Sequence, residues 1–347
     1  MHSKRVLAFA ATIAAAAALT ACSPSAEEPA ATADGGSADD AAFPVTVQHA
    51  LGETTIDSAP ENVTTIGWGN QDVALALGVA PVGVSDQTWS FDATEGAGLY
   101  EWTTQAYEEL GAAEPTVFDE TDGLDFEAIA DTAPDVILAA YSGLTEDEYA
   151  TLSEIAPTVA YPGIPWGTTW REAIELDSQA LGLAAEGEDL VADLDAQLAE
   201  AVAAAPDLEG KSFAFISATA SDLSSIYVYT PIDPRVGFLT DLGLEVPESV
   251  ATLGEENEGQ FYGVVSAENI DLLSDVDVLV SYGDDSLTDA LQADALLSTL
   301  PSVQNGAVVT LGIGEGLSAA ATQTALSIPW SIDDYVAALE DAASKVQ

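Results

Sequence analysis

Short apolar runs alternate along this chain with segments of helical period. Buried strands are predicted at residues 63–66, 82–84, 116–117, 135–138, 158–160, 212–216, 276–280 and 308–310. Helices are predicted between them, at residues 71–77, 126–131, 238–242, 290–300 and 333–345. Strands that alternate with helices form parallel sheets, so the pattern predicts an α/β fold.

The alternation occurs twice, and a nearly continuous helical stretch separates the two halves. Residues 170–205 are almost all good helix formers, but Gly182 and Gly187 interrupt them. We therefore expect one connecting helix that ends near Leu181 and then a second helix. The predicted domains are an N-terminal α/β lobe at residues 43–165, a connecting helix at 166–186 and a C-terminal α/β lobe at 187–347.

A weak internal repeat is consistent with two similar lobes. Glu127 lies early in a predicted helix that leads to the strand at 135–138, and Glu268 has the same relation to a strand at 277–280. The two spacings differ by one residue, so generic α/β periodicity explains the match equally well.

The first 42 residues have a different pattern. Lys4 and Arg5 precede an apolar run at residues 6–19, and small residues lead to Cys22, the only cysteine. This order is typical of a secretory signal peptide, and a cysteine directly after the small residues fits the signals of bacterial lipoproteins. We expect a signal peptide at residues 1–21, lipid attachment at Cys22 and a position on the extracytoplasmic face of the cell membrane.

Residues 22–42 are rich in Ala, Glu, Asp, Gly, Ser and Pro and have no apolar period. This composition predicts a disordered acidic tether. No second apolar stretch reaches the ~18 residues that a membrane-spanning helix needs. A lipid on Cys22 is therefore the predicted contact with the membrane.

The charge is one-sided, with 59 acidic residues against 6 basic ones in 347. Such a surface repels nucleic acid and anionic lipid, so we exclude nucleic acid as a partner. A need for solubility, or for function at high salt concentration, would explain the excess of acidic residues. Removal of the signal peptide leaves four cations, and an arginine buried among so many acids would be a conspicuous anion clamp. These cations are Arg171, Lys211, Arg235 and Lys345.

The residue types disfavour an enzyme. His49 is the only histidine outside the signal peptide, and it lies in a predicted hairpin at residues 45–56, where we expect it on the surface. A Ser-His-Asp or Cys-His site needs a histidine beside its nucleophile, and a metal site built on several histidines is excluded by count. Residues 312–316 lack the spacing of a dinucleotide loop, because Leu317 replaces the third glycine.

Aromatic side chains are frequent where predicted strands give way to helices. Ligands of open parallel sheets bind outside the carboxyl ends of the strands, and Trp or Tyr there offers an apolar face and one hydrogen-bond donor. Packing alone explains any single one of them, so the argument depends on their number. The candidate ligand-binding residues are Arg171 and Arg235 with Trp68, Trp89, Tyr100, Trp102, Tyr141, Trp166, Tyr227, Tyr229, Tyr262 and Tyr282.

Several segments together carry a family resemblance. They are residues 45–56, 66–72 (Ile-Gly-Trp-Gly-Asn-Gln-Asp), 76–83, 126–129, 133–138, 233–235 (Asp-Pro-Arg) and 242–243. From about Val45 to Ala342 the chain resembles the iron-siderophore substrate-binding lipoproteins of bacterial ABC importers. Asn62 departs from the pattern, since relatives often carry an arginine in this turn, where its role is structural.

The resemblance implies the class III periplasmic binding protein fold. In that fold two Rossmann-like lobes are bridged by a long, rather rigid helix and hold the ligand between them, with modest opening. It also implies that one glutamate on each lobe docks onto arginines of an ABC permease dimer, by position Glu127 and Glu268. The helix dipole alone also favours a solvated glutamate at a helix start.

We therefore predict a monomeric, lipid-anchored protein that captures a ferric siderophore and makes or breaks no bond. The siderophore holds the iron, so neither a cofactor nor a metal site is expected, and Arg235 with Arg171 contacts the oxygens of the chelate. With so few cations, neutral hydroxamate chelates should bind better than triply anionic catecholates. A haem or cobalamin carrier with the same cleft and a secreted hydrolase remain as alternatives.

Overall fold

The computed structural model describes residues 42–87, 98–314 and 316–346. The predicted signal peptide, Cys22, nearly all of the tether and Trp89 lie outside these residues. Within the described ranges, no helix combines the length and the apolar character needed to cross a membrane.

The described residues form twelve strands in one hairpin and two five-stranded sheets. The strands are β1 (Val45–His49), β2 (Gly52–Ile56), β3 (Val63–Thr65), β4 (Gly83–Ser85), β5 (Thr116–Phe118), β6 (Val136–Leu138), β7 (Thr158–Val159), β8 (Phe213–Thr219), β9 (Asp222–Tyr229), β10 (Tyr262–Ser266), β11 (Val278–Ser281) and β12 (Val308–Thr310).

Twelve α-helices occur in the same ranges. They are α1 (Asn70–Ala76), α2 (Glu101–Leu110), α3 (Phe126–Asp131), α4 (Glu146–Ile155), α5 (Trp170–Ala180), α6 (Ala184–Ala204), α7 (Pro234–Asp241), α8 (Glu248–Glu256), α9 (Asp285–Ala293), α10 (Pro301–Asn305), α11 (Gly316–Ala319) and α12 (Ser327–Ala343). Short 3₁₀ helices span Pro206–Leu208, Ala267–Leu273 and Leu297–Thr299. Capping boxes begin two of the helices, Thr145 with Glu148 at α4 and Thr169 with Glu172 at α5.

The first sheet belongs to the N-terminal lobe and has the order β5-β4-β3-β6-β7. All of its strand pairs are parallel. Val136, Ile137 and Leu138 of β6 are completely buried, because helices cover both faces of the sheet. The predicted α/β class is confirmed, and the continuous apolar runs mark the central strands.

The second sheet belongs to the C-terminal lobe and has the order β10-β9-β8-β11-β12. Its strands β8, β11 and β12 are parallel, but β8, β9 and β10 form an antiparallel meander. The sequence pattern missed β9 and β10, because exposed and buried positions alternate in them and neither contains a long apolar run. The predicted helix at 290–300 is also wrong, since α9 ends at Ala293 and a 3₁₀ turn follows.

The connection between the lobes is the expected pair of helices with a break after Leu181, but its bounds differ from the predicted 166–186. It consists of α5 and α6, which are separated at Gly182, where φ is +71°. Gly187 does not interrupt α6; a Cβ there would lie 2.2 Å from the hydroxyl of Ser178, so this glycine permits the two helices to pack closely. The long helix is therefore α6, and the predicted lobe boundary at residue 187 falls inside it.

One apolar core runs through both lobes. It contains Val63 and Val136 of the first sheet and Phe215 and Val280 of the second, and side chains of α5, α6 and α12 connect them. Separation of the lobes along this core would expose apolar surface to water, which is unfavourable. The continuous core therefore opposes separation of the lobes.

Candidate functional site

Two loops meet at the carboxyl end of the N-terminal sheet, after β3 and after β6. Gly67 has φ +77°, and a Cβ there would lie 2.6 Å from the backbone oxygen of Tyr141, so glycine permits the close approach. Buried Asn70 cross-links the loops: its Nδ2 donates to the Ile66 oxygen at 2.7 Å, and its Oδ1 accepts from the Tyr141 backbone N–H at 3.0 Å. These contacts hold Trp68 and Tyr141 at the same edge of the sheet.

A cavity lies beside this edge, between the two lobes, and we call it the interlobe cavity. It has about 310 Å³ of atom-free space, including the part that opens to solvent. Trp68, Tyr141 and Trp170 line one side, and Pro234 and residues 322–325 line the other. None of the residues that line it carries a charged side chain.

The C-terminal lobe contributes an arginine surrounded by aromatic rings. The Arg235 Nε and Nη2 atoms donate to the two carboxylate oxygens of Asp233 at 2.7 and 2.6 Å. Nη1 donates to the Tyr282 hydroxyl at 3.0 Å, and the guanidinium carbon lies 4.0 Å from the centre of the Tyr229 ring. Phe215 packs edge-on against both tyrosines. We call these five residues the arginine cluster.

Asp233 fixes the charge of the arginine cluster. It precedes α7, where its side chain also accepts the backbone N–H of Arg235 at 2.9 Å, and Pro234 occupies the first helical turn. Burial lowers the pKa of Arg235, but the hydrogen bonds and charge of Asp233 more than offset this, so the pKa lies well above its usual value. Arg235 therefore stays charged, and its salt bridge with Asp233 leaves the cluster with little net charge.

Tyr141 connects the two halves of the site. Burial raises the pKa of its phenol. The charge of Arg235 in the other lobe lowers this pKa and that of Asp233 raises it, so Tyr141 interacts electrostatically with the arginine cluster. Trp166 contacts Tyr141 edge-on, with ring centres 5.6 Å apart, and its own side chain is exposed. Trp68, Tyr141 and Trp166 therefore lie on the N-terminal side of the cleft, opposite Tyr229, Arg235 and Tyr282.

Tyr100 and Trp102 are not on the surface of the cleft, in contrast to the prediction. They are 2% and 6% exposed, stack on each other with ring centres 4.7 Å apart, and support Trp68 from behind. Trp330, which the sequence reasoning did not select, packs against Trp102 at 5.0 Å. Packing within this second aromatic group accounts for the position of the two side chains, and a contact with the ligand stays a prediction.

Tyr227 and Tyr262 do not lie at strand-to-helix junctions, in contrast to the prediction. They lie within the antiparallel strands β9 and β10, they are exposed, and their rings contact edge-on at 5.2 Å. Tyr227 is two residues from Tyr229 and so lies on the same face of the sheet. The pair therefore extends the aromatic surface of the arginine cluster toward solvent.

Arg171 is a brace between helices and is not among the residues that line the interlobe cavity, so its contact with the ligand stays a prediction. Its Nη2 atom pairs with Asp195 of α6 at 2.5 Å, and its Nη1 atom pairs with Asp241 of α7 at 2.7 Å. The guanidinium also covers the ring of Trp170 at 4.1 Å. Three of its N–H groups bond to these two carboxylates, so the residue ties α5 to α6 and α7.

A segment near the C-terminus crosses back to the N-terminal lobe, and we call residues 322–325 the crossing segment. Trp68 Nε1 donates to the Thr322 backbone oxygen at 3.3 Å, and Thr324 Oγ1 donates to Asp72 at 2.5 Å. Asp72 is fully buried and also accepts from Trp102 Nε1 at 2.9 Å and from Thr103 Oγ1 at 2.8 Å. Burial raises its pKa, although these donors oppose the change.

His49 is 9% exposed, so the expected surface position is wrong. Its Nε2 atom lies 2.9 Å from Thr54 Oγ1, and its Nδ1 accepts the Leu51 backbone N–H at 3.2 Å. Burial lowers its pKa. Nε2 also lies 3.3 Å from the hydroxyl of Tyr149 on α4, and the two rings contact edge-on, which holds the β1–β2 hairpin against α4. Within the described ranges, around His49 and elsewhere, no group of three or more His, Cys, Asp or Glu side chains could hold a metal ion.

Glu127 and Glu268 are both exposed at the start of a helix, one in each lobe. Glu127 lies in the first turn of α3, and Glu268 lies in the first turn of the 3₁₀ helix Ala267–Leu273. Neither lines the interlobe cavity or belongs to the arginine cluster.

Sequence reasoning missed Phe215, Asp233 and Gln323 as members of the site. Asp-Pro at a helix start was a usable signal for Asp233, because this pair is typical of an N-cap followed by a first helical residue. Phe215 lies within a buried strand, and Gln323 lies 182 residues beyond Tyr141, so no local pattern marks either as a site residue.

The chain is similar to known proteins over most of its described residues. Residues 63–313 match the family described as "Periplasmic binding protein". The structure of PiaA from Streptococcus pneumoniae TIGR4 in complex with ferrichrome is similar, with 41% identity and a TM-score of 0.82 over 87% of this chain and 100% of that chain.

Two curated sequences are also similar. The probable siderophore-binding lipoprotein YfiY of Bacillus subtilis (strain 168) is 27% identical over 236 residues, 67% of each chain. The ferric enterobactin-binding periplasmic protein FepB of Escherichia coli O6:H1 is 27% identical over 284 residues, 78% of this chain and 84% of that protein. The family match extends from β3 to the loop after β12 and so includes both sheets.

Proposed function

The chain belongs to the periplasmic binding protein family, and we propose that it captures a ferric siderophore between its lobes and delivers it to an ABC importer. The arginine cluster is the observation that carries this proposal. It places one buried cation and three aromatic rings opposite Tyr141 of the other lobe. Such a surface suits a bulky chelate with an apolar exterior and a few exposed oxygens.

Siderophore recognition in similar proteins supports the ligand class. PiaA was solved with ferrichrome, and the names of YfiY and FepB assign them a siderophore and ferric enterobactin. We propose that the iron is held by the siderophore, that the protein needs no cofactor, and that it makes or breaks no bond.

The charge balance favours a neutral chelate. Asp233 neutralises Arg235, and the interlobe cavity has no charged lining. Burial of a triply anionic catecholate complex would cost hydration free energy that no cation in the cavity offsets. A neutral ferric tris-hydroxamate would incur a much smaller cost. Three of the five guanidinium N–H groups of Arg235 are used by Asp233 and Tyr282, so two remain for oxygens of the chelate.

The location and the partners are part of the same proposal. The Leu-Thr-Ala-Cys sequence at residues 19–22 supports lipid attachment at Cys22 on the extracytoplasmic face, and loss of palmitate labelling in Cys22→Ala would test it. Glu127 and Glu268 would dock onto the permease dimer, and the protein would act as a monomer.

Tryptophan fluorescence tests the function, since Trp68 and Trp166 lie at the proposed site. We expect ferrichrome to quench the emission and to bind more tightly than ferric enterobactin at matched ionic strength. Iron-free ferrichrome is the control for nonspecific quenching. Tighter binding of ferric enterobactin would refute the charge argument, and no response to either ferric chelate would refute the proposed function.

A further inference from the structure

Gln323 is a buried polar residue without a complete set of partners. It is 8% exposed and lines the interlobe cavity, and its Nε2 atom is buried without a hydrogen-bond partner. A buried amide N–H without a partner is unfavourable, and native proteins contain few of them. The side chain therefore needs a physical reason to occupy this position.

Both neighbours of Gln323 in the crossing segment are held by the N-terminal lobe. Trp68 bonds to the backbone of Thr322, and Asp72 bonds to the side chain of Thr324. Gly69 permits this approach, because a Cβ there would lie 2.6 Å from the Thr324 Cγ2 atom. Gln323 is thus positioned at the wall of the cavity by contacts on either side of it.

We propose that Gln323 and the interlobe cavity form a subsite for a neutral part of the ligand, and that the amide donates to a carbonyl oxygen of the siderophore backbone. The uncharged lining disfavours a charged group, because no side chain there would offset its loss of hydration, and the unpaired donor requires an acceptor. Pro234 and Tyr141 also line the cavity, so it adjoins the arginine cluster.

This inference rests on the proposed function and deepens it. The iron centre lies against the arginine cluster, and the backbone that carries the hydroxamates reaches into the cavity. Gln323 therefore distinguishes chelates by their backbone, whereas Arg235 contacts the iron-binding groups.

Two probes separate the backbone from the iron centre. Ferrichrome carries its hydroxamates on a peptide ring, whereas ferric acetohydroxamate, kept intact by excess acetohydroxamate, has the same iron-binding groups without a backbone. In Gln323→Leu we expect ferrichrome affinity to fall about 2- to 12-fold, the range for one hydrogen bond, and ferric acetohydroxamate affinity to stay the same.

The ligand-free protein gives a second readout. Because Gln323→Leu removes an unsatisfied donor, its melting temperature should equal or exceed that of the unchanged protein, which a purely structural role would not allow. Gln105→Leu changes an exposed glutamine on α2 and should alter neither affinity. Gln323→Met repeats the test, should the leucine variant fail to fold.

Three results would overturn the inference alone: unchanged ferrichrome affinity in Gln323→Leu, an equal loss for both chelates, or a lower melting temperature. Failure of the unchanged protein to bind either ferric chelate would overturn the proposed function as well, so the two failures are distinguishable.

Discussion

Removal of the Arg235 guanidinium should affect both stability and ligand binding, and the two effects can be separated. Arg235 and Asp233 form a buried pair, with 15% and 1% of their side chains exposed. Arg235→Ala leaves the Asp233 carboxylate buried without its cation. Loss of one partner from a buried pair costs roughly 3–5 kcal/mol.

We expect a loss near the lower end, about 3 kcal/mol in the free energy of unfolding. The reason is that the backbone N–H of residue 235, which bonds to Asp233 at 2.9 Å, remains in the variant. Asp233→Asn combined with Arg235→Ala should recover most of this loss, because asparagine caps a helix well and carries no charge.

Ferrichrome affinity should fall in both variants. A hydrogen bond from a charged donor contributes about 1.5–3 kcal/mol, which corresponds to a fall of roughly 12- to 150-fold. Urea unfolding gives the stability, and tryptophan quenching gives the affinity. Lys345→Ala is a matched control, since its ion pair with Asp341 is exposed and should change neither quantity appreciably.

Two results would refute the reasoning. Equal stability of the single and double variants would show that the buried Asp233 carboxylate does not need the Arg235 cation for stability. Unchanged ferrichrome affinity in Arg235→Ala would remove Arg235 from the site.

Two further predictions concern other parts of the molecule. Replacing both Glu127 and Glu268 by arginine should abolish uptake in cells and leave ferrichrome affinity intact, because like charges would then face the permease; a loss of affinity instead would place them in the cleft. Asp177 is fully buried on α5 without a hydrogen-bond partner, and burial raises its pKa well above the usual value. The folded protein therefore keeps this proton to a higher pH than the unfolded chain, so the residue destabilises the fold as pH rises, by at most about 1.4 kcal/mol per pH unit. The stability of Asp177→Asn relative to the unchanged protein should rise with pH between 4.5 and 7.5 in urea unfolding, and a constant difference would contradict this.

Local pattern was sufficient for the architecture and for part of the site. The apolar runs at β3, β6, β8, β11 and β12 were visible because parallel strands are buried on both faces. Residues directly after such strands, including Trp68, Tyr141 and Tyr282, were correctly expected at the edge where parallel strands end.

The break at Gly182 was similarly visible in the local sequence, whereas the predicted helix at 238–242 missed the start of α7 after Asp233, although Asp-Pro was a local signal for it. Whether Trp68, Tyr141 and Tyr282 contact a ligand stays a prediction.

Tertiary structure decided which of the candidates meet. Arg171 and Arg235 look alike in sequence and both pair with carboxylates, but Arg171 ties α5 to α6 and α7, whereas Arg235 lies within an aromatic surface. Gln323 enters the site only because the chain crosses back to the N-terminal lobe after β12. A periodic pattern specifies which face of an element is buried, since that depends on neighbours within a few residues. It does not specify which distant segment covers that face, because such contacts depend on the packing of both lobes together.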